Sequence, residues 1–306
     1  MTRRPLALLA ALAALAPAGA LAAGCGSDDL SSISAADAAA STSAAETAKT
    51  SMTMKVSGMG IPLPMSFKAR GVTSMNEPRM DMTFDFGQLM ALAGAGGDGK
   101  VRMLLDEGKV FVDPPAIEGL DLPGDAEWVT ADLGKALEAM GIDITGFSEL
   151  MRISPEQQVA ALKAAGSVKT VGEEKVNGVE TVHLRGTVKL SDYLDALPAD
   201  RRAKAEKAIE ELDKLPGGGG QSFDQPTPVD MWIDEDKLVR RMTSKSTIPA
   251  QGGVPEGRYE MTMDFDDFGT PLRIQPPASG DVWDATDSIT EALKSAAQQQ
   301  GGTTTG

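Results

Sequence analysis

Apolar and polar residues alternate along much of this chain with a period of two. Met52, Met54 and Val56 alternate with Thr53, Lys55 and Ser57; after a turn over residues 58–64, Met65, Phe67 and Ala69 alternate with Ser66, Lys68 and Arg70. Met80, Met82, Phe84 and Phe86 then alternate with Asp81, Thr83 and Asp85. This is the mark of antiparallel strands with one wet face and one apolar face. Residues 100–105 and 109–112 read as a hairpin across Asp106-Glu107-Gly108, and residues 127–131 as a short strand carrying Trp128. The glycine-rich stretch 87–99 reads as a loop, with a helical turn over 88–93.

The period changes in the middle of the chain. Asp132 is placed to cap a helix holding Leu133, Leu137 and Met140 and stopped by Gly141. Ser154-Pro155-Glu156-Gln157 is a capping box with proline at the first helical position, opening a helix that bears Val159 and Leu162 and ends near Gly166. Strands return over 168–176 and 179–190, joined by Asn177-Gly178, the strongest short hairpin turn; Val182, Leu184, Val188 and Leu190 share a face. A charged helix is expected over about 199–215, its thin apolar side made by Ala203, Ala208, Ile209 and Leu212. Three more strands follow at 228–233, 238–248 and 258–265. The stretch up to Asp287 reads as a helical turn or two, and 288–306 as low-complexity tail. Before the first strand, the Ala/Ser/Thr-rich segment 35–49 favours a helix packed on the sheet.

The beginning of the chain has a different character. Arg3 and Arg4 precede an uncharged run from Pro5 to Gly24, built almost wholly of alanine and leucine and ending Leu21-Ala22-Ala23-Gly24-Cys25. A basic segment, an apolar segment and a small-residue cleavage site form an export signal, too short to span a bilayer comfortably. Cys25 is the one cysteine in 306 residues. Leu21 to Cys25 resembles the lipobox of bacterial lipoproteins, which implies that Cys25 is acylated and that the mature chain has no thiol left for a disulfide, a metal or a nucleophile. Residues 26–34 then read as a flexible tether.

Charge narrows the partners. The net charge is −15, and loss of Arg3 and Arg4 with the signal makes the mature chain −17. Such a body repels nucleic acid and anionic membrane surfaces, so membrane contact is expected through the lipid on Cys25.

Chemistry is sparse. His183 is the one histidine, read as an exposed or edge position on the polar row of its strand, with no serine nucleophile motif nearby. Asp234, Asp236, Asp264, Asp266 and Asp267 could be weighed for calcium, but the spacing of an EF-hand loop is absent and turn acids are ordinarily solvated. Neither a catalytic residue, a metal nor a cofactor is expected. The methionines are the stronger signal. Nine of the 16, Met52, Met54, Met65, Met80, Met82, Met103, Met231, Met261 and Met263, fall on apolar rows where β-branched residues are ordinarily preferred. Unbranched thioethers suit either an adaptable core or a cavity for acyl chains, and composition leaves both open.

The lipobox at Cys25, the stretch Gly172-Glu173-Glu174-Lys175-Val176-Asn177-Gly178-Val179-Glu180, and Pro228-Val229-Asp230-Met231-Trp232-Ile233-Asp234 with Leu238-Val239-Arg240-Arg241 resemble the LolA-like lipoprotein carriers, in particular the actinobacterial LppX/LprG branch. Ala22 departs from the commonest lipobox, and the glycine segments 94–99 and 217–220 depart from the branch. The resemblance implies an α+β fold, one strongly curved antiparallel sheet forming a half-barrel over a few helices, spanning residues 35–287. It also implies a non-enzymatic protein of the extracytoplasmic membrane face that carries or presents lipid. Met54, Met65, Phe67, Met82, Phe84, Met103, Leu184, Met231 and Met263 are the expected lining of its acyl-chain cavity. The alternative from the same scaffold is an envelope interaction or sensor module with a protein partner and a solid core.

Overall fold

The computed structural model describes residues 35–60, 63–92, 94, 97–106, 108–114, 122–138, 161–162, 165–166, 168–213, 225–248, 250 and 255–291. The signal, Cys25, the tether, the capping box at Ser154 and the tail from 292 lie outside them.

Strands β1 (Thr47–Gly58), β2 (Met65–Ser74), β3 (Met80–Asp85), β4 (Lys100–Asp106), β5 (Lys109–Asp113) and β6 (Trp128–Asp132) come first. They are followed by β7 (Lys169–Val176), β8 (Val179–Val188), β9 (Thr227–Ile233), β10 (Val239–Ile248), β11 (Gly257–Asp266) and β12 (Val282–Asp284). All belong to one open, curved sheet in the order β12-β6-β5-β4-β3-β2-β1-β11-β10-β9-β8-β7. Neighbours are antiparallel except β12, which runs parallel to β6. Asn177 and Gly178 both have positive φ, 51° and 88°, as a type I′ hairpin between β7 and β8 requires.

Helix α1 (Ala35–Ala44) ends sooner than its alanine content suggests, because Thr47–Thr50 are taken into β1. Ala38 and Thr42, one turn apart, are fully buried, and the Thr42 hydroxyl accepts the Val239 N–H at the start of β10. After a two-residue link to β1, α1 reaches across to β10. It covers a cluster that includes Val182, Met231, Ile233, Met242 and Phe265, joined by Ala161 and Leu162 of the middle segment.

The short helices α2 (Gly87–Leu92) and α3 (Leu133–Glu138) follow β3 and β6; Asp132 Oδ1 accepts the Lys135 N–H, the cap expected from sequence. Two expectations fail nearby. Leu190 does not continue β8 but opens α4 (Leu190–Asp195), and in α5 (Ala199–Asp213) Ala205 is buried with Ala208 while Ala203 is exposed. A further departure is β12, a strand where helical turns were expected; helix begins only at Thr286, whose hydroxyl accepts the Asp132 N–H. The Thr286 hydroxyl and N–H also hold the Asp284 carboxyl below its usual range.

Tyr193 of α4 packs against the core cluster, and burial pushes its phenol up to about 12. A tyrosine of ordinary pKa about 10 in the unfolded chain thus adds stability that is complete below pH 10 and lost as pH rises through 12. A spectrophotometric titration should show a phenol that ionises late and disappears in Tyr193→Phe, and the alkaline fall in stability over that window should shrink in the variant.

Candidate functional site

Directly opposed residues of neighbouring strands share a face of the sheet, so the register can be read as rows running across it. One row runs Val101, Phe84, Ala69, Met52, Met263, Met242, Met231, Leu184, from β4 to β8. The row on one side runs Phe67, Met54, Met261, Ser244, Val229, Gly186, and beyond it lie Met65, Val56 and Tyr259. On the other side run Val129, Val112, Met103, Met82, Gly71, Thr50 and Phe265.

All nine residues named as candidate lining therefore lie on one face, and so do the nine strand methionines, with Met242 as a tenth. They divide by surroundings. Leu184, Met231 and Met263 belong to or pack on the cluster under α1. Met82 is buried on β3, while Met54, Met65, Phe67, Phe84 and Met103 are half-buried. At the β2–β3 side of this face, Phe86 tilts against Phe67 at 5.7 Å and stacks on Phe84 at 6.1 Å between ring centres.

A groove of about 830 Å³ opens at the end of the sheet where β1 and β10 finish and β9 and β11 begin. Val56, Pro64, Pro226, Pro228 and Tyr259 form its apolar wall; Lys55, Lys245, Glu256, Arg258 and Glu260 form the charged one. Its volume is in the range of small-molecule sites. None of the nine candidate lining residues touches it.

The opposite face carries a polar network that sequence reasoning placed wrongly. His183 is buried, not exposed, because the side chains of β7 and β9 close over it. Its Nε2 lies 2.5 Å from Asp230 Oδ1 and its Nδ1 2.9 Å from Glu174 Oε1. Its ring stacks on Trp232 at 4.3 Å. Trp232 Nε1–H donates to Glu174, and Arg185 Nε donates to Asp230. Both imidazole nitrogens face carboxylate oxygens. No ring nitrogen is left to activate a nucleophile. Only the strand register could have revealed this, since Glu174, His183 and Asp230 come from three strands.

Three of the five acids considered for calcium, Asp234, Asp264 and Asp267, are held by cations or turns. Asp234 accepts the Leu238 N–H and pairs with Arg240, Asp264 pairs with Arg241, and Asp267 pairs with Lys49, which lowers its pKa. Among the described residues no group of acids, histidines or cysteines is arranged to hold a metal ion. No described helix is long and apolar enough to cross a membrane.

The site is thus a broad methionine-lined face on an open single-sheet α+β scaffold. No family model matches the chain. It is 30% identical over 222 residues to an uncharacterised 31.2 kDa protein of Streptomyces griseus, encoded in the rplA–rplJ intergenic region. That alignment covers 71% of this chain and 64% of the relative. Among solved structures the chain is similar to the lipoprotein LppX of Mycobacterium tuberculosis, at 10% identity and a TM-score of 0.41, over 79% of this chain and 98% of that one. It is similar also to LprF of Mycobacterium bovis, at 14% identity and a TM-score of 0.39, over 80% and 97%.

Proposed function

We propose that the protein is a LolA-like lipoprotein, anchored through Cys25 on the extracytoplasmic side of the cell membrane, that binds lipid acyl chains for transport or presentation in the envelope. The observation that carries this reading is the uninterrupted apolar row across eight strands of one face, half of it methionine. Flexible thioethers accommodate a mobile hydrocarbon without a fixed shape. Burying an acyl chain of about 16 carbons at ~0.8 kcal/mol per methylene yields roughly 10 kcal/mol before ordering costs. That suffices for capture. The half-buried stretch of the face, with Met54, Met65, Phe67, Phe84 and Met103, is the expected contact surface. The occupied nitrogens of His183 support a role without catalysis.

The test is extraction of purified mature chain with organic solvent, followed by mass spectrometry and titration with a fluorescent fatty acid. Co-purifying lipid and saturable binding are expected. Met54→Lys and Phe67→Lys should weaken that binding at least tenfold, because a cation on the face opposes hydrocarbon. Absence of both lipid and fatty-acid binding from the wild type would sink the proposal.

A second reading has its own observation. Under α1 the face is packed solid, with Met231 and Leu184 inside the cluster, as suits an envelope interaction module with a closed core. Stoichiometric recovery of one envelope protein by lipid-free protein would favour it.

A further inference from the structure

The two ends of the sheet differ in chemistry. At one end lie the turns β2–β3, β4–β5 and β9–β10, which carry Glu77 and Arg79, then Asp106, Glu107 and Lys109, then Asp234-Glu235-Asp236-Lys237. At the other end, where β1, β3 and β10 finish, residues 56–67 and 86–97 contain no charged side chain, in a chain of which 24% is charged. Each run of 12 should by chance hold about three charges, so their absence together at one end marks a surface of a different kind.

Leucines stand out from that end. Leu63, Leu89 and Leu92 are 62%, 42% and 53% exposed. They form one structural unit: the Gln88 side chain of α2 accepts the Ser66 N–H and donates to the Pro64 carbonyl, joining α2 to the start of β2. Phe86 N–H donates to the Gly99 carbonyl, closing the base of the α2 loop. Exposed leucines on tied-down segments that carry no charge of their own need an apolar partner.

We propose that this end of the sheet docks on a lipid bilayer, with Leu63, Leu89 and Leu92 entering the boundary between headgroups and acyl chains. Three observations select a bilayer over other partners. The two runs that bear the leucines carry no charge of their own, the charges bordering the groove at the same end are of mixed sign (Lys55, Lys245 and Arg258 with Glu256 and Glu260), and the chain as a whole is acidic, so binding rests on apolar insertion. The nearby face is the methionine-lined one, and Phe67, Phe84 and Phe86 lie directly behind α2. Finally, the chain before α1 carries the proposed anchor at Cys25. The ten residues from Cys25 to Ala35 reach at most ~35 Å, which holds the body close to a membrane that carries the anchor. Docking rests on the proposed function only for that anchor.

The described fold begins at residue 35, so the experiment uses the chain from residue 25 with Cys25→Ser, which is free of cysteine. Single reporters are placed by Leu63→Cys, Leu92→Cys and, in the charged turn at the opposite end, Asp236→Cys, each labelled with an environment-sensitive fluorophore. With vesicles of phosphatidylcholine alone, the labels at 63 and 92 should shift to the blue and be quenched by lipid-borne quenchers, while the label at 236 should not respond. The triple variant Leu63→Asp, Leu89→Asp, Leu92→Asp should co-sediment with the vesicles at least tenfold less, with fluorescent fatty-acid affinity unchanged. Labels at 63 and 92 that stay aqueous, an equal response at 236, or a blue shift that follows protein concentration without vesicles, as a second copy would cause, each overturn the inference. Docking without any fatty-acid binding would instead overturn the proposed function and leave this inference standing.

Discussion

Gly71→Ala should unfold the protein or reduce its stability by about 3 kcal/mol or more. Gly71 sits in the middle of β2, opposite Met82 of β3 and Thr50 of β1. Its backbone is not in the left-handed region, so the strain would come from space alone. A Cβ there would collide with the carbonyl oxygen of Asp81 and stand 2.7 Å from the Met82 Cα. Both are backbone atoms of the paired strand and cannot rotate away as a side-chain tip would. Glycine within a strand marks such a close approach of a second backbone, and here it lets β3 fold inward across the methionine face. Ordinary overpacking costs about 1–3 kcal/mol; forcing apart a ladder between β2 and β3 costs more, against a total stability of about 5–15 kcal/mol for a typical domain. Gly280→Ala is the matched control, since nothing lies within 4 Å of its added methyl, and should stay within about 0.5 kcal/mol. Urea midpoints of the two variants decide it. Equal midpoints would mean that β2 and β3 are not so closely apposed.

Period-two patterning made most of the strands legible, because a sheet with one wet face leaves its alternation in the sequence. It failed where that premise failed. Met242 went unread because β10 has a bulge between Val239 and Arg241; the extra residue puts an odd and an even position on the same face and erases the period. β12 is three residues long and parallel to β6, too short for any pattern. Leu190 continued the alternation of β8 in sequence, yet the chain had already turned into α4. The candidate lining was legible as a face but not as an enclosure: sequence marks which residues look inward, while the packing of Met231 under α1 and the half-exposure of Met54 depend on where helices land.

His183 shows the same limit on the other face. Its position on a polar row suggested water, but β8 is buried on both sides from Thr181 to Leu184, and its polar row is met by carboxylates from β7 and β9.

That network carries the second large expectation: Asp230→Ala should cost about 3 kcal/mol. Asp230 is buried and receives both His183 and Arg185. Arg185 is more than half exposed and can turn to water, so its loss of partner is cheap. His183 cannot turn, held between Trp232 and Glu174, and would keep a buried ring nitrogen with no partner. Leaving such a group unpaired costs more than the bond was worth, whereas replacing both partners with apolar groups of similar shape is close to neutral. The double variant His183→Phe, Asp230→Leu should therefore recover to within about 1 kcal/mol of the wild type, with the phenyl ring stacking on Trp232 in place of imidazole. Because the network faces away from the methionine rows, fatty-acid affinity should stay unchanged in the double variant. A double variant as unstable as Asp230→Ala would show that the polar pairing itself stabilises the β7 edge. A recovered fold that no longer binds lipid would instead place His183 in the functional site.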